Sequence, residues 1–109
     1  MKSVLTAVAV TATLTVAPMM FAQKKGDAAK GKAVFEDNCS VCHNADSTEK
    51  KSGPGLKGLM KKAKMNNGKA PTEVNLRALV NAGGSGMPAF ADQLSDEERD
   101  NVIAYLKTL

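Results

Sequence analysis

Two cysteines and one histidine lie within five consecutive residues and are the chain's whole supply of both residue types. They are Cys39, Cys42 and His43, in the stretch NCSVCHN. Two thiols separated by two residues can exchange disulfides, and thiols with an imidazole can bind a metal or hold a cofactor. The spacing must decide among these chemistries, since no other cysteine or histidine is available to complete a site.

The pattern Cys-x-x-Cys-His is the attachment pattern of c-type haem. The thiols add across the two vinyl groups of the porphyrin, and the imidazole directly after the second cysteine is held against one face of the iron. Two intervening residues let both sulfurs reach neighbouring vinyl groups. We therefore expect one haem c, attached covalently through Cys39 and Cys42, with His43 as an iron ligand.

The second axial ligand of the iron has to be a residue other than histidine, and methionine is the obvious candidate. Outside the apolar N-terminal segment there are three, Met60, Met65 and Met87. Met87 is preferred because it lies in a glycine-rich loop, and the proline after it disfavours helix at this position. Met60 and Met65 accompany a short lysine-rich segment, where methionine is expected to fill the core. We predict iron coordination by His43 and Met87.

Three helices are expected to position these residues. We predict an all-α fold, because no segment shows the alternation of apolar and polar residues that is typical of a strand. Asp27 can cap a first helix that runs to about Asn38. The second ends at Gly83 and Gly84, and the last spans about 96–108, with a capping box at Ser95 and Glu98. Between the first two helices we expect a loop with one short helix near 56–63.

Three sets of apolar positions, one on each helix, should face the core. They are Ala29, Ala33 and Val34; Val74, Leu76, Leu79 and Val80; and Val102, Leu106 and Leu109.

The N-terminus has the pattern of a cleavable signal peptide: Lys2, an apolar run over 4–17, and a cleavage region ending at Ala22. We expect a signal peptide over 1–22 and one domain over 23–109, located in the periplasm or elsewhere outside the cytoplasm. An uncleaved membrane anchor is the alternative. After cleavage only three aromatic residues would remain, Phe35, Phe90 and Tyr105. Because these are few for a core, the haem is expected to supply apolar bulk, and folding should depend on it.

Across this whole domain the chain resembles the class I cytochromes c of the small bacterial or photosynthetic kind. The segments that carry the resemblance are GKAVF, CSVCH, GPGLKG, GMPAF and AYLKTL. It implies a fold of three to four helices around one haem, in which Gly31 lets the first and last helices cross closely beside Phe35 and Tyr105. It also implies that the Pro54 carbonyl accepts a hydrogen bond from His43 and that Leu56 packs on the haem. Residues that would bind the haem propionates are not matched; the candidates are Lys69, Asn75 and Arg77.

With His43 and Met87 both on the iron, substrates and dioxygen are kept away from it, so the predicted function is one-electron transfer without enzymatic activity. We expect a monomer whose donor and acceptor are redox proteins; a membrane would be involved only through an uncleaved signal or membrane-bound partners. The alternatives are a five-coordinate haem enzyme, a gas or peroxide sensor, and a cytochrome subunit of a larger oxidoreductase.

The formal net charge of the whole chain is +4, and its charges are unevenly distributed. Seven lysines occur between Lys50 and Lys69, whereas acids collect between Asp92 and Asp100. Such asymmetry can steer an acidic redox partner to one side of the molecule; an ordinary solvated basic surface is the other interpretation. Nucleic-acid binding is not expected, because the lysines are not interleaved with aromatic residues. Zinc is not expected either, since a structural site needs four ligands.

Overall fold

A computed structural model describes residues 8–15 and 26–109 of the protein. Over these residues the chain forms three α-helices and no named strand: α1 is Ala28–Asn38, α2 is Glu73–Ala82 and α3 is Asp96–Leu106. A single 3₁₀ turn, Leu59–Lys61, lies in the long connection between α1 and α2. The all-α prediction is confirmed.

Each α-helix begins at a residue whose side chain accepts hydrogen bonds from backbone amides of the first turn. Asp27 Oδ1 accepts from the amides of Ala29 and Lys30, and Thr72 Oγ1 accepts from the Asn75 amide in the first turn of α2. At α3 the predicted capping box is present in both directions, because the Glu98 amide donates to Ser95 Oγ and the Ser95 amide donates to Glu98 Oε1. Such caps pair amides that the helix itself leaves free.

The principal helix contact is the crossing of α1 and α3. A Cβ atom on Gly31 would lie 1.8 Å from the Asn101 carbonyl oxygen, so only glycine lets the two backbones come this close. One turn further on, the rings of Phe35 and Tyr105 meet with centroids 5.4 Å apart. Buried Asn101 adds a polar tie, since its Oδ1 accepts from the Asp27 amide at 2.8 Å. This crossing holds the C-terminal end of α1, where the cysteines begin.

Some of the apolar positions predicted for the core are wrong. Ala29 and Ala33 are exposed on α1, which buries Gly31 and Phe35 instead. The close crossing with α3 selects that face, and alanines carry too little apolar surface to compete. On α2, Val74 is 77% exposed, whereas Leu76 and Val80 are buried as predicted. On α3 the buried stripe also includes Ile103.

The short helix predicted near 56–63 is only the 3₁₀ turn. Gly58 precedes it in the left-handed region, with φ of 74°, and Lys62 follows it in an extended conformation. A continuous helix would need right-handed values at both positions. The turn nevertheless places Leu59 in the core and leaves Lys61 in solvent.

The predicted signal peptide falls mostly outside the described residues, and so does the boundary at Ala22. Its middle part, residues 8–15, has no regular secondary structure, and Val8, Val10 and Leu14 are more than 80% exposed. Among the described helices, none combines the length and the hydropathy that a membrane span requires.

Candidate haem-binding site

The cysteines and the histidine leave the end of α1 in a compact turn. The amides of Cys39 and Ser40 both donate to the Phe35 carbonyl, at 2.8 and 2.9 Å. The amides of Cys42 and His43 then donate to the Cys39 carbonyl, at 3.1 and 3.0 Å. Both thiols are free and half-buried. Because all three side chains belong to this turn, their spacing is fixed by its backbone hydrogen bonds.

The imidazole of His43 is oriented by the backbone of a different segment. Its Nδ1 donates to the Pro54 carbonyl oxygen at 2.8 Å, so the hydrogen bond implied by the resemblance is present. A carbonyl can only accept, so the proton of a neutral ring lies on Nδ1 and the lone pair lies on Nε2. Nε2 is therefore the nitrogen available to a metal, and the hydrogen bond at Nδ1 increases its basicity.

Gly53 lies directly against the His43 ring. A Cβ atom at this position would come within 2.4 Å of His43 Cε1. The Gly53 amide also donates to the Cys42 carbonyl at 2.8 Å, which ties the segment GPG to the attachment turn. In the GPG segment the resemblance had implied a role for Pro54 alone, so the need for glycine at 53 was missed.

The state of Cys39 argues against a thiol–disulfide exchanger. Burial raises the pKa of the Cys39 thiol to about 11. Cysteines that exchange disulfides have a lowered pKa and act as thiolates. In this fold the Cys39 thiol is protonated at neutral pH, which disfavours its action as the attacking thiolate.

Met87 lies at the end of a tight hairpin that follows α2. The amides of Gly84 and Met87 each donate to the other's carbonyl, at 3.0 and 2.9 Å. The two residues between them, Ser85 and Gly86, have φ of 51° and 88°. Positive φ at both central positions is typical of a type I′ turn. The hairpin thus gives Met87 a defined backbone position.

Half-buried apolar side chains pack against the buried core and form its border. They include Cys39, Leu56, Met60, Leu79 and Met87. Met65, in contrast, is part of the buried core, with 9% exposure. The apolar border, the two free thiols and the free Nε2 of His43 fit a covalently attached haem. Among the described residues, there is no group of three or more His, Cys, Asp or Glu side chains that could hold a metal ion.

The three candidates for the propionates are not brought together by hydrogen bonds. Arg77 pairs with Asp100 at 2.7 Å and reaches Glu73 at 3.9 Å, so its guanidinium belongs to the α2–α3 contact. The Asn75 side chain donates to the Ala70 carbonyl at 3.0 Å. Lys69 is exposed.

Comparison with known proteins decides the family. The family model described as Cytochrome c matches residues 28–109. The chain belongs to the cytochrome c family. It is 38% identical over 80 residues to cytochrome c6 of Leptolyngbya boryana, covering 73% of this chain and 89% of that protein. It is 39% identical over 85 residues to cytochrome c6 of Bryopsis maxima, covering 74% and 90%. The solved structure of cytochrome c6 from Phaeodactylum tricornutum matches with a TM-score of 0.59 and 33% identity, over 76% of this chain and 93% of that one.

The predicted class is confirmed by these matches: the chain is a class I monohaem cytochrome c with the all-α fold of that class. Its cofactor is haem c, for which Cys39 and Cys42 are the cysteines present. Haem-based electron transfer is the corresponding activity.

Proposed function

We propose that this cytochrome c is a soluble one-electron carrier whose haem iron is bound by His43 and Met87. The observation that carries the proposal is the 2.8 Å hydrogen bond from His43 Nδ1 to the Pro54 carbonyl. It frees Nε2 for iron and keeps the ring from rotating. When bound, the haem takes up and releases one electron at its iron. The protein holds the two iron ligands in place and excludes water.

Each ligand has a separate part in setting the potential. The basic imidazole of His43 is held in place by Pro54, and the thioether of Met87 favours reduced iron relative to a second nitrogen ligand. With both positions taken by side chains, small molecules have no open site on the metal. Catalysis is therefore not expected, and the potential is expected to be positive.

The experiment is a redox titration of the exported holoprotein combined with its intact mass. The proposal predicts a mass increase of one haem, a low-spin spectrum in both oxidation states and a transition that fits one electron. A high-spin resting state that binds carbon monoxide rapidly would instead indicate the five-coordinate enzyme or sensor.

We further propose that the lysine segment, Lys50–Lys69, forms part of the docking surface for an acidic redox partner. All seven lysines in it are exposed. Lys51 lies close to the attachment turn, because its Nζ donates to the Ser40 carbonyl at 2.9 Å. Between the cysteines, Val41 is 78% exposed. Positive charge around a small apolar contact is suited to a transient electron-transfer complex.

The N-terminal assignment also remains a proposal: a signal peptide over 1–22 directs the domain 23–109 to the periplasm or another compartment outside the cytoplasm. Cytochrome c6 of Picosynechococcus aligns with 97% of this chain, so the similarity reaches beyond the domain. Sequencing the N-terminus of the exported protein is the test. A first residue of Gln23 supports cleavage after Ala22, and an intact N-terminus supports the anchor.

A further inference from the structure

The residues that follow the Met87 hairpin are hydrogen-bonded to the last turn of α2. After the hairpin, the Phe90 amide donates to the Val80 carbonyl at 2.9 Å, and the Ala91 amide approaches the Asn81 carbonyl at 3.4 Å. These carbonyls belong to the end of α2, where a helix leaves its own acceptors unpaired. The position of Met87 therefore depends on how firmly Val80 and Asn81 are held.

Arg99 holds Asn81 from the first turn of α3. Its Nη1 donates to Asn81 Oδ1 at 2.8 Å. Its Nη2 pairs with the Asp96 carboxylate, and its Nε donates to the Ser95 carbonyl at 3.4 Å. The Arg99 side chain is only 13% exposed. The guanidinium thus donates to two acceptors at the start of α3 and to one at the end of α2.

The ion pairs between α2 and α3 differ from the Arg99–Asn81 contact in both burial and place. Arg77 pairs with Asp100, and Lys107 pairs with Glu73, through side chains that are 36–46% exposed. Exposed pairs contribute little to stability because water and salt screen them. They also bind earlier turns of α2, away from Val80 and Asn81. The Arg99 contact is the one that reaches the residues carrying the hairpin.

We propose that Arg99 is a positioning residue for Met87, acting through Asn81. The proposal rests on Met87 being an iron ligand, as proposed above. Charge-assisted hydrogen bonds from a planar guanidinium are stronger than neutral ones and fix direction as well as distance. Arg99 thereby keeps the last turn of α2 from fraying. The hairpin then presents the Met87 thioether in one place, and loss of Arg99 lets external ligands compete with it.

The test measures how readily imidazole displaces the sixth ligand from ferric holoprotein. Arg99→Leu removes the guanidinium and keeps an apolar stem. Asn81→Ala keeps the guanidinium and removes only the amide oxygen on α2 that accepts its hydrogen bond. Asp100→Asn is the matched control, since it weakens the ion pair with Arg77 between α2 and α3 without touching the hairpin anchors. Hydrogen exchange of the Phe90 and Ala91 amides reports the anchors themselves.

Arg99→Leu and Asn81→Ala should each raise imidazole affinity about tenfold, the effect expected for a lost charged hydrogen bond. The double variant should add little to either, because both changes remove one contact. Hydrogen exchange of the Phe90 amide should accelerate in both single variants, Arg99→Leu and Asn81→Ala. Asp100→Asn should behave like the unmodified protein. If Arg99→Leu and Asp100→Asn raise imidazole affinity equally, the positioning role is refuted while the ligand assignment stands. If the unmodified protein lacks the sulfur-to-iron absorption band, the assignment of Met87 fails, and this inference with it.

Discussion

The carbonyl oxygen of Pro54 lies 2.8 Å from Nδ1 of His43, eleven residues earlier in the chain. This contact joins the attachment turn at the end of α1 to the segment that leads into the 3₁₀ turn. It determines which nitrogen of the imidazole carries the proton and which one can bind iron. The chemistry of the site therefore depends on backbone positions as well as on the three side chains of the motif.

Replacing Gly53 by alanine should disturb this contact. The added Cβ would lie 2.4 Å from His43 Cε1, so the ring or the GPG segment must move. We expect a loss of about 2 kcal/mol in the free energy of unfolding of the holoprotein, as for other overpacked sites. Guanidinium denaturation measures it, with the neighbouring exposed change Ser52→Ala as the control. Equal midpoints for the two variants would show that the ring tolerates the extra carbon.

Substituting alanine for Gly31 should separate α1 from α3. Its Cβ would meet the Asn101 carbonyl oxygen at 1.8 Å, which neither backbone can avoid without moving. We expect a loss of about 3 kcal/mol or a failure to accumulate holoprotein. Lys32→Ala, on the exposed face of α1, should change stability by less than about 0.5 kcal/mol. The prediction fails if Gly31→Ala melts with the unmodified protein.

Without haem the chain should be largely unfolded. The core of the described domain contains only two buried aromatic residues, Phe35 and Phe90, and several apolar side chains on its border stay half-buried. Such a small core supplies little stability beyond the entropy lost on folding. Circular dichroism of a Cys39→Ala/Cys42→Ala variant, purified without cofactor, measures this. A cooperative thermal transition like that of the holoprotein would contradict the prediction.

Neutralising lysines of the lysine segment should slow electron transfer to an acidic partner. Lys51→Gln, beside the attachment turn, is expected to lower the second-order rate constant at low ionic strength and to flatten its salt dependence. Lys107→Gln is a control on α3, outside this segment. Stopped-flow measurements over a salt series compare the two. Rates that do not depend on salt in any variant would exclude electrostatic docking by these lysines.

The fold and the site were predictable from the sequence to different extents. The caps at Asp27 and Ser95 and the stop at Gly83 are local signals, and the structure confirms the helix ends they predict. The buried face of α1 was not predictable from periodicity, because Gly31 is buried by the crossing with α3 and not by its own hydrophobicity. Local signals report on neighbours along the chain, whereas the crossing joins residues about 70 positions apart.

In the site, CSVCH could be interpreted at once because its residue types and spacing suit one chemistry. The hydrogen bond to Pro54 was implied only by resemblance, since it joins two loops. The contact of Arg99 with Asn81 had no sequence signal, because an arginine at an i, i+3 spacing from Asp96 looks like an ordinary surface pair. Only the packing of α3 against the end of α2 gives it another role.

The oxidised holoprotein and its Met87→Ala and Met60→Ala variants, compared by absorption spectroscopy, provide the decisive measurement of axial ligation. Met60 is a matched control, since it is also a half-buried methionine on the border of the core. We predict that the weak sulfur-to-iron band is present in the unmodified protein and in Met60→Ala, and that Met87→Ala loses it and binds carbon monoxide when reduced. Retention of the band in Met87→Ala, or its loss in Met60→Ala, would contradict coordination by Met87.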